Sequence, residues 1–132
     1  MGLLRRILYL EAAIWVVAGV ALAAVPESLM NLLDQAAYPE HAWLRVAGIQ
    51  AITLAMLMVL VAQKIDDHWW WSWAFVFGTG ALATFFLFKA AFGIGSGASS
   101  GAPSWAIGTV SALLTAALLA GLGRAGRENP MT

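Results

Sequence analysis

Ala51-Ile52-Thr53-Leu54-Ala55-Met56-Leu57-Met58-Val59-Leu60-Val61-Ala62 holds one hydroxyl and no charge, and its polar and apolar residues do not alternate. In lipid every backbone N–H and C=O must be satisfied within the protein, which leaves helices or closed barrels. A barrel strand would alternate lipid-facing and inward residues over about ten positions. This run does not, so it reads as helix.

Working outward, the run extends to Trp43–Ala62, and three others resemble it: Leu8–Ala24, Trp69–Phe92 and Trp105–Leu122. At about 1.5 Å rise per residue, ~20 residues cross a hydrocarbon core about 30 Å thick. The expected fold is all-α: an integral membrane four-helix bundle in one transmembrane domain, residues 1–132. Its helices are expected at approximately 4–24, 43–63, 69–92 and 104–123. Within these 132 residues only short tails and three loops remain, leaving no room for a soluble catalytic domain. Any activity is expected inside the bundle or along its flanks.

Composition agrees. The chain is 61% hydrophobic and 11% charged, outside the range of a water-soluble domain. Seven basic and seven acidic residues give no formal net charge, and no basic stripe points to nucleic acid. With no cysteine, disulfides, thiolate metal sites and thiol redox chemistry are excluded. Arg5-Arg6, an apolar stretch and Ala21-Leu22-Ala23 resemble a secretory signal with its cleavage site. Glu11 interrupts that stretch, which is also longer than a typical signal core, so a retained first helix is expected.

Basic residues sort by loop. Arg5 and Arg6 precede the first run, Lys64 lies between the second and third, and Arg124 and Arg127 follow the fourth. Loops 25–42 and 93–104 contain neither Lys nor Arg. The positive-inside rule therefore expects both termini in the cytoplasm, N-in and C-in. Arg45 and Lys89, near outer helix ends, are placed to snorkel. An Ala- and Gly-rich chain with short loops suggests a bacterial inner (plasma) membrane. Trp43, Trp69, Trp70, Trp71 and Trp105 mark run ends, as interfacial anchors do. Pro26-Glu27-Ser28-Leu29-Met30-Asn31-Leu32-Leu33 begins like a short helix, with proline and an acidic residue in its first turn, lying flat in the outer interface. Gly93–Ser104 is Gly/Ser-rich, and its glycines follow a helix rather than a strand, unlike a nucleotide loop.

Small residues let helices approach closely in lipid. Gly108, Ala112, Ala116 and Ala120 form such a row on the fourth helix, with Ala47, Ala51 and Ala55 on the second and Gly19 and Ala23 on the first. Either intra-bundle packing or an intermolecular seam would use them.

Glu11 is the one carboxylate embedded in an apolar run, roughly 7 to 8 Å beyond Arg6 at helical rise. An ionisable group at such a position is a functional candidate. At its depth Ser72 and the Trp73 indole are expected as hydrogen-bond donors. The plainer reading is a neutral glutamic acid, or one snorkelling to Arg5, Arg6 and water. Trp15 stands one turn above it. Gln50, Thr53, Thr79, Ser111 and Thr115 are expected near mid-membrane, bonding between helices or to their own backbones. Glu11, Trp15, Gln50 and Trp73 are the candidate proton, cation or ligand site.

His41 and His68 are expected at opposite faces, which precludes a bis-histidine haem or three-histidine zinc site within one chain. Asp66 or Asp67 is placed to cap the third helix. No Ser-His-Asp set or carboxylate pair shares one depth, so no catalytic residue, metal site or cofactor is expected.

Length, the Pro26-Glu27 loop and Trp43-Leu44-Arg45-Val46-Ala47-Gly48 opening the second helix resemble small bacterial four-helix membrane proteins related to DoxX-like and uncharacterised families. That resemblance implies a layout and no catalytic residues. Glu11 in the first helix, with Gly78-Thr79-Gly80 in the third, is similar to small multidrug-resistance exporters. There it would imply coupling of protons to cationic drugs; the long first outer loop and the Lys/Arg bias depart from that pattern. The leading expectation is a non-enzymatic accessory or assembly subunit, partnered by the lipid bilayer and by other membrane subunits or copies of itself. The alternatives are a proton-coupled transporter using Glu11 and a redox helper binding quinone or lipid.

Overall fold

The computed structural model describes residues 1–33, 41–93 and 101–128. The described residues form helices α1 (Gly2–Ala24), α2 (Pro26–Leu32), α3 (His41–Gln63), α4 (Ile65–His68), α5 (Ser72–Phe92) and α6 (Ala102–Glu128), with a 3₁₀ turn over Trp69–Trp71 joining α4 to α5. Four helical segments are long and apolar enough to cross a membrane: α1, α3, Ile65–Phe92 and α6.

The boundaries follow local chemistry. Pro26 opens α2, where a missing N–H costs nothing, and Glu27 beside it complements the helix dipole. Gly93 ends α5 in the left-handed conformation, φ 64°, which glycine adopts without a Cβ penalty. α6 runs five residues beyond the expected end at 123. Leu122 and Ala125 are buried there, and Arg124 lies 3.6 Å from Glu128 one turn on. Most of residues 93–104, expected as a Gly/Ser-rich loop, lies outside the described residues.

Neither Asp66 nor Asp67 caps the third span. The helix opens upstream at Ile65, so both aspartates fall inside its first turn, and no side chain caps it. Asp66 instead accepts from Arg5 Nη2 at 3.5 Å.

α1 packs most extensively against α3, α5 against α6, and α1 also meets α6. Gly19 and Gly48 face each other. A methyl group built on Gly48 would lie 2.5 Å from the Gly19 carbonyl oxygen and 2.7 Å from the Ala23 amide nitrogen. The reverse substitution would meet the Gly48 oxygen at 2.7 Å. Backbone touches backbone there, which only glycine permits. Gly108 rests on Leu87 and Gly121 on Leu4, so α6 runs antiparallel to α1 and to α5. The Met1 amine pairs with Glu128, placing both at one end of the molecule.

The small-residue row expected on the fourth helix is divided between the inner and outer sides of the bundle. Gly108 is buried, but Ala112 is half-buried and Ala116 and Ala120 are exposed. The buried seam is Ser104, Gly108, Ser111, Leu118, Leu122 and Ala125, with Thr115 half-buried between them and Gly121 buried beside Leu122. It steps alternately by four and three. Each four-residue step overshoots a full turn by about 40°, so a strict fourfold row winds off any one neighbour. α3 behaves alike: Gly48, Ala51, Ala55, Met58 and Ala62 are buried, whereas the expected Ala47 is exposed.

Gly48→Ala is expected to destabilise the fold by about 1–3 kcal/mol through overpacking. Gly78→Ala, where the added methyl meets open space, is expected to be neutral or stabilising through helix propensity. Reversible unfolding in mixed micelles distinguishes the two.

Candidate functional site

Glu11 enters the core with Leu8 and Ala12 because all three lie on the α1 face turned toward α3 and α6. Its relative exposure is 0%, and neither carboxylate oxygen has a hydrogen-bond partner. Trp15, one turn on, is half-buried and packs on the same core. Its indole N–H lies near the carboxyl without completing a bond.

Register explains why no other donor arrives. Gly121 faces Leu4, and a methyl group built on Gly80 would lie 3.5 Å from the Thr115 methyl. Glu11 is seven residues beyond Leu4 and Thr115 is six before Gly121, so antiparallel packing sets Glu11 level with Thr115 and Gly80. The hydroxyls at that level are those of Thr115 and Thr79. Thr115 Oγ1 donates to the Ser111 carbonyl at 2.8 Å, and Thr79 Oγ1 to the Phe75 carbonyl at 2.7 Å. A hydroxyl has one proton to give. Both are spent on their own helix.

Ser72, the expected donor, is fully buried and its Oγ is also unpartnered. It lies eight residues before Gly80, about 12 Å along the axis from the Glu11 level. The two unpaired groups do not meet. Trp73 points outward, 45% exposed, with its ring 6.3 Å from that of Phe77. Gln50 is exposed on the outer side of α3. Of the four residues expected to share a site, only Glu11 and Trp15 come together.

Thr53 follows the own-backbone alternative as well. Thr53 Oγ1 donates to the Ile49 carbonyl at 3.0 Å. Thr84, not singled out from the sequence, does the same to Gly80 at 2.9 Å. Trp43, Trp70, Trp71 and Trp105 are exposed, as anchors must be, whereas Trp69 is half-buried against the core.

Among the described residues no group of three or more His, Cys, Asp or Glu is placed to hold a metal ion. An open cleft of ≈ 360 Å³ lies beside the α3–α4 turn, lined among others by Lys64, His68 and Trp71. Nothing in the sequence pattern marks it, because its walls come from α3 and from the turn that follows α4. No family model, curated protein or solved structure matches this chain.

A buried carboxyl without donors destabilises the fold by roughly 1–3 kcal/mol relative to an apolar group of its size. Glu11→Leu is therefore expected to raise unfolding stability by about that amount. A loss of stability would show that Glu11 has a partner in the folded protein.

Proposed function

We propose that this chain is a non-enzymatic, multi-pass protein of the inner (plasma) membrane, a four-helix bundle with both ends cytoplasmic. In this reading it works by lateral association, as an accessory or assembly subunit of a larger membrane complex or with copies of itself. The Lys/Arg distribution supports the orientation, and the layout is the one implied by the DoxX-like resemblance.

Gln50 carries the proposal. It stands nine residues from the His41 end of α3, about 13 Å along the axis. Its side chain is exposed and makes no hydrogen bond within the described chain. A primary amide facing hydrocarbon is costly to leave unpaired. A second helix can satisfy it, and because the amide both donates and accepts, an identical copy can do so. Ala47, exposed one turn away, leaves room for a close approach. The outward face of α5, with Phe77, Phe85 and Phe88, offers no comparable polar group.

Interhelical bonds of this kind contribute about 0.6 kcal/mol on average and up to about 1.7. Gln50→Leu should therefore weaken association by about three- to twentyfold. Cross-linking in native membranes, with the wild-type chain beside the variant, measures it. Equal cross-linking yields, or a wild-type chain that is monomeric throughout, would remove the proposal.

A second reading rests on Glu11, whose burial without a partner is unusual for a carboxyl. In it the residue exchanges a proton or small cation during transport, as the likeness to small multidrug-resistance exporters implies. Proteoliposomes carrying Glu11→Gln should then lose proton-coupled uptake while keeping the fold. Unchanged uptake in that variant would end this reading.

A further inference from the structure

The cleft beside the α3–α4 turn has two kinds of wall. Leu57, Leu60 and Val61 of α3 and the Trp71 ring form its apolar side, and Gln63, Lys64 and His68 stand at its polar end. From Leu57 to Lys64 is seven residues, about 10 Å along the chain axis at helical rise. The apolar walls therefore descend along the helix while the Gln63 amide, the Lys64 ammonium and the His68 imidazole remain at its end. This is the outline of an amphiphile seated at the edge of a bilayer: chain alongside the helix, head group at the turn.

The electrostatics select the head group. Lys64 makes no ion pair among the described residues. Asp66, the carboxylate nearest in sequence, is engaged by Arg5 at 3.5 Å. Asp67 is exposed and is not among the cleft walls. An ammonium beside an imidazole, with no carboxylate among the cleft walls, suits an anion. Basic pockets at the membrane edge take phosphate-bearing head groups, and lysine serves phosphate as a point charge. Trp71, 44% exposed, supplies the amphipathic ring that interfacial lipid contacts favour.

We propose that this cleft is a binding site for one anionic phospholipid, its phosphate held by Lys64 and His68 and its acyl chain lying along Leu57, Leu60 and Trp71. The site is separate from Glu11, and it continues the α3 stripe that carries Gln50, starting at Leu57 about 10 Å further along the axis. It would hold the α3–α4 turn at the head-group level by a specific contact rather than by partitioning alone. The cleft lies at the Lys64 end, where the Lys/Arg distribution places the cytoplasmic leaflet with its anionic lipid.

The test is native mass spectrometry of the full chain released from mixed vesicles of phosphatidylglycerol and phosphatidylcholine. One phosphatidylglycerol is expected to be retained per chain, at least fivefold in preference to phosphatidylcholine. Lys64→Gln combined with His68→Gln should abolish the preference. Arg124→Gln, a cation paired with Glu128 and outside the cleft, should leave it intact. Leu60→Trp, which fills the apolar side without touching the charge, should lower retention of both lipids. Circular dichroism confirms that each variant is helical. Equal retention of the two lipids, or a preference that survives the double substitution, overturns the proposal. So does displacement of the lipid by millimolar inorganic phosphate, which would make the site one for the free anion.

Discussion

The contact between Gly19 and Gly48 sets the geometry from which most of the interior follows. In hydrocarbon, apolar side chains gain little from meeting each other rather than lipid, so close backbone approach and dispersion must hold helices together. Two glycines facing across α1 and α3 allow that approach, and any side chain at either position would collide with backbone. Once α1 is clamped to α3 at this height, Leu4, Leu8 and Glu11 are carried inward with it. The glycine contacts of α6 complete the arrangement. Gly121 receives Leu4 and Gly108 receives Leu87, so α6 is held at both ends by different partners.

That register has a chemical consequence at Glu11. The carboxyl is drawn into the core beside Leu8 and Ala12 at a level where the threonine hydroxyls already bond their own helices. Stability alone would favour a leucine there. A buried acid retained without donors is therefore a cost to the fold, and the effect of its replacement on transport tells whether that cost serves function. Gln50 presents the converse problem. Its amide lies outside the core, in a position where lipid can offer it nothing.

Several local readings were legible in the residues themselves. The short helix opened by Pro26 and Glu27, the four apolar spans and the stop at Gly93 all stand where residue chemistry puts them. The tryptophans near the span ends face outward, except Trp69, which turns in toward Gly126. The candidate site was only half legible. Glu11 and Trp15 are one turn apart on one helix, so their proximity is local and readable. Ser72 and Trp73 depended on a depth estimate between helices, and an error of eight residues there amounts to about 12 Å. Gln50 required knowing which side of α3 faces inward. An apolar helix in lipid does not reveal this, because its outer face is as hydrophobic as its inner one.

The amino-acid order by itself determined that the chain is helical, that four segments can cross a bilayer, and where positive charge gathers, since each follows from local rise, solvation and composition. Only the tertiary structure decided which face of each helix is buried, because that choice is made by register between helices, not within one. It set the buried seam of α6 on a path alternating threes and fours and left Ala116 and Ala120 on the outer side. It also separated Glu11 from Ser72, turned Gln50 outward, and opened the cleft between α3 and the turn beyond α4. Those outcomes rest on a few places where a glycine leaves no room for a side chain, which have no expression along the chain until two helices meet.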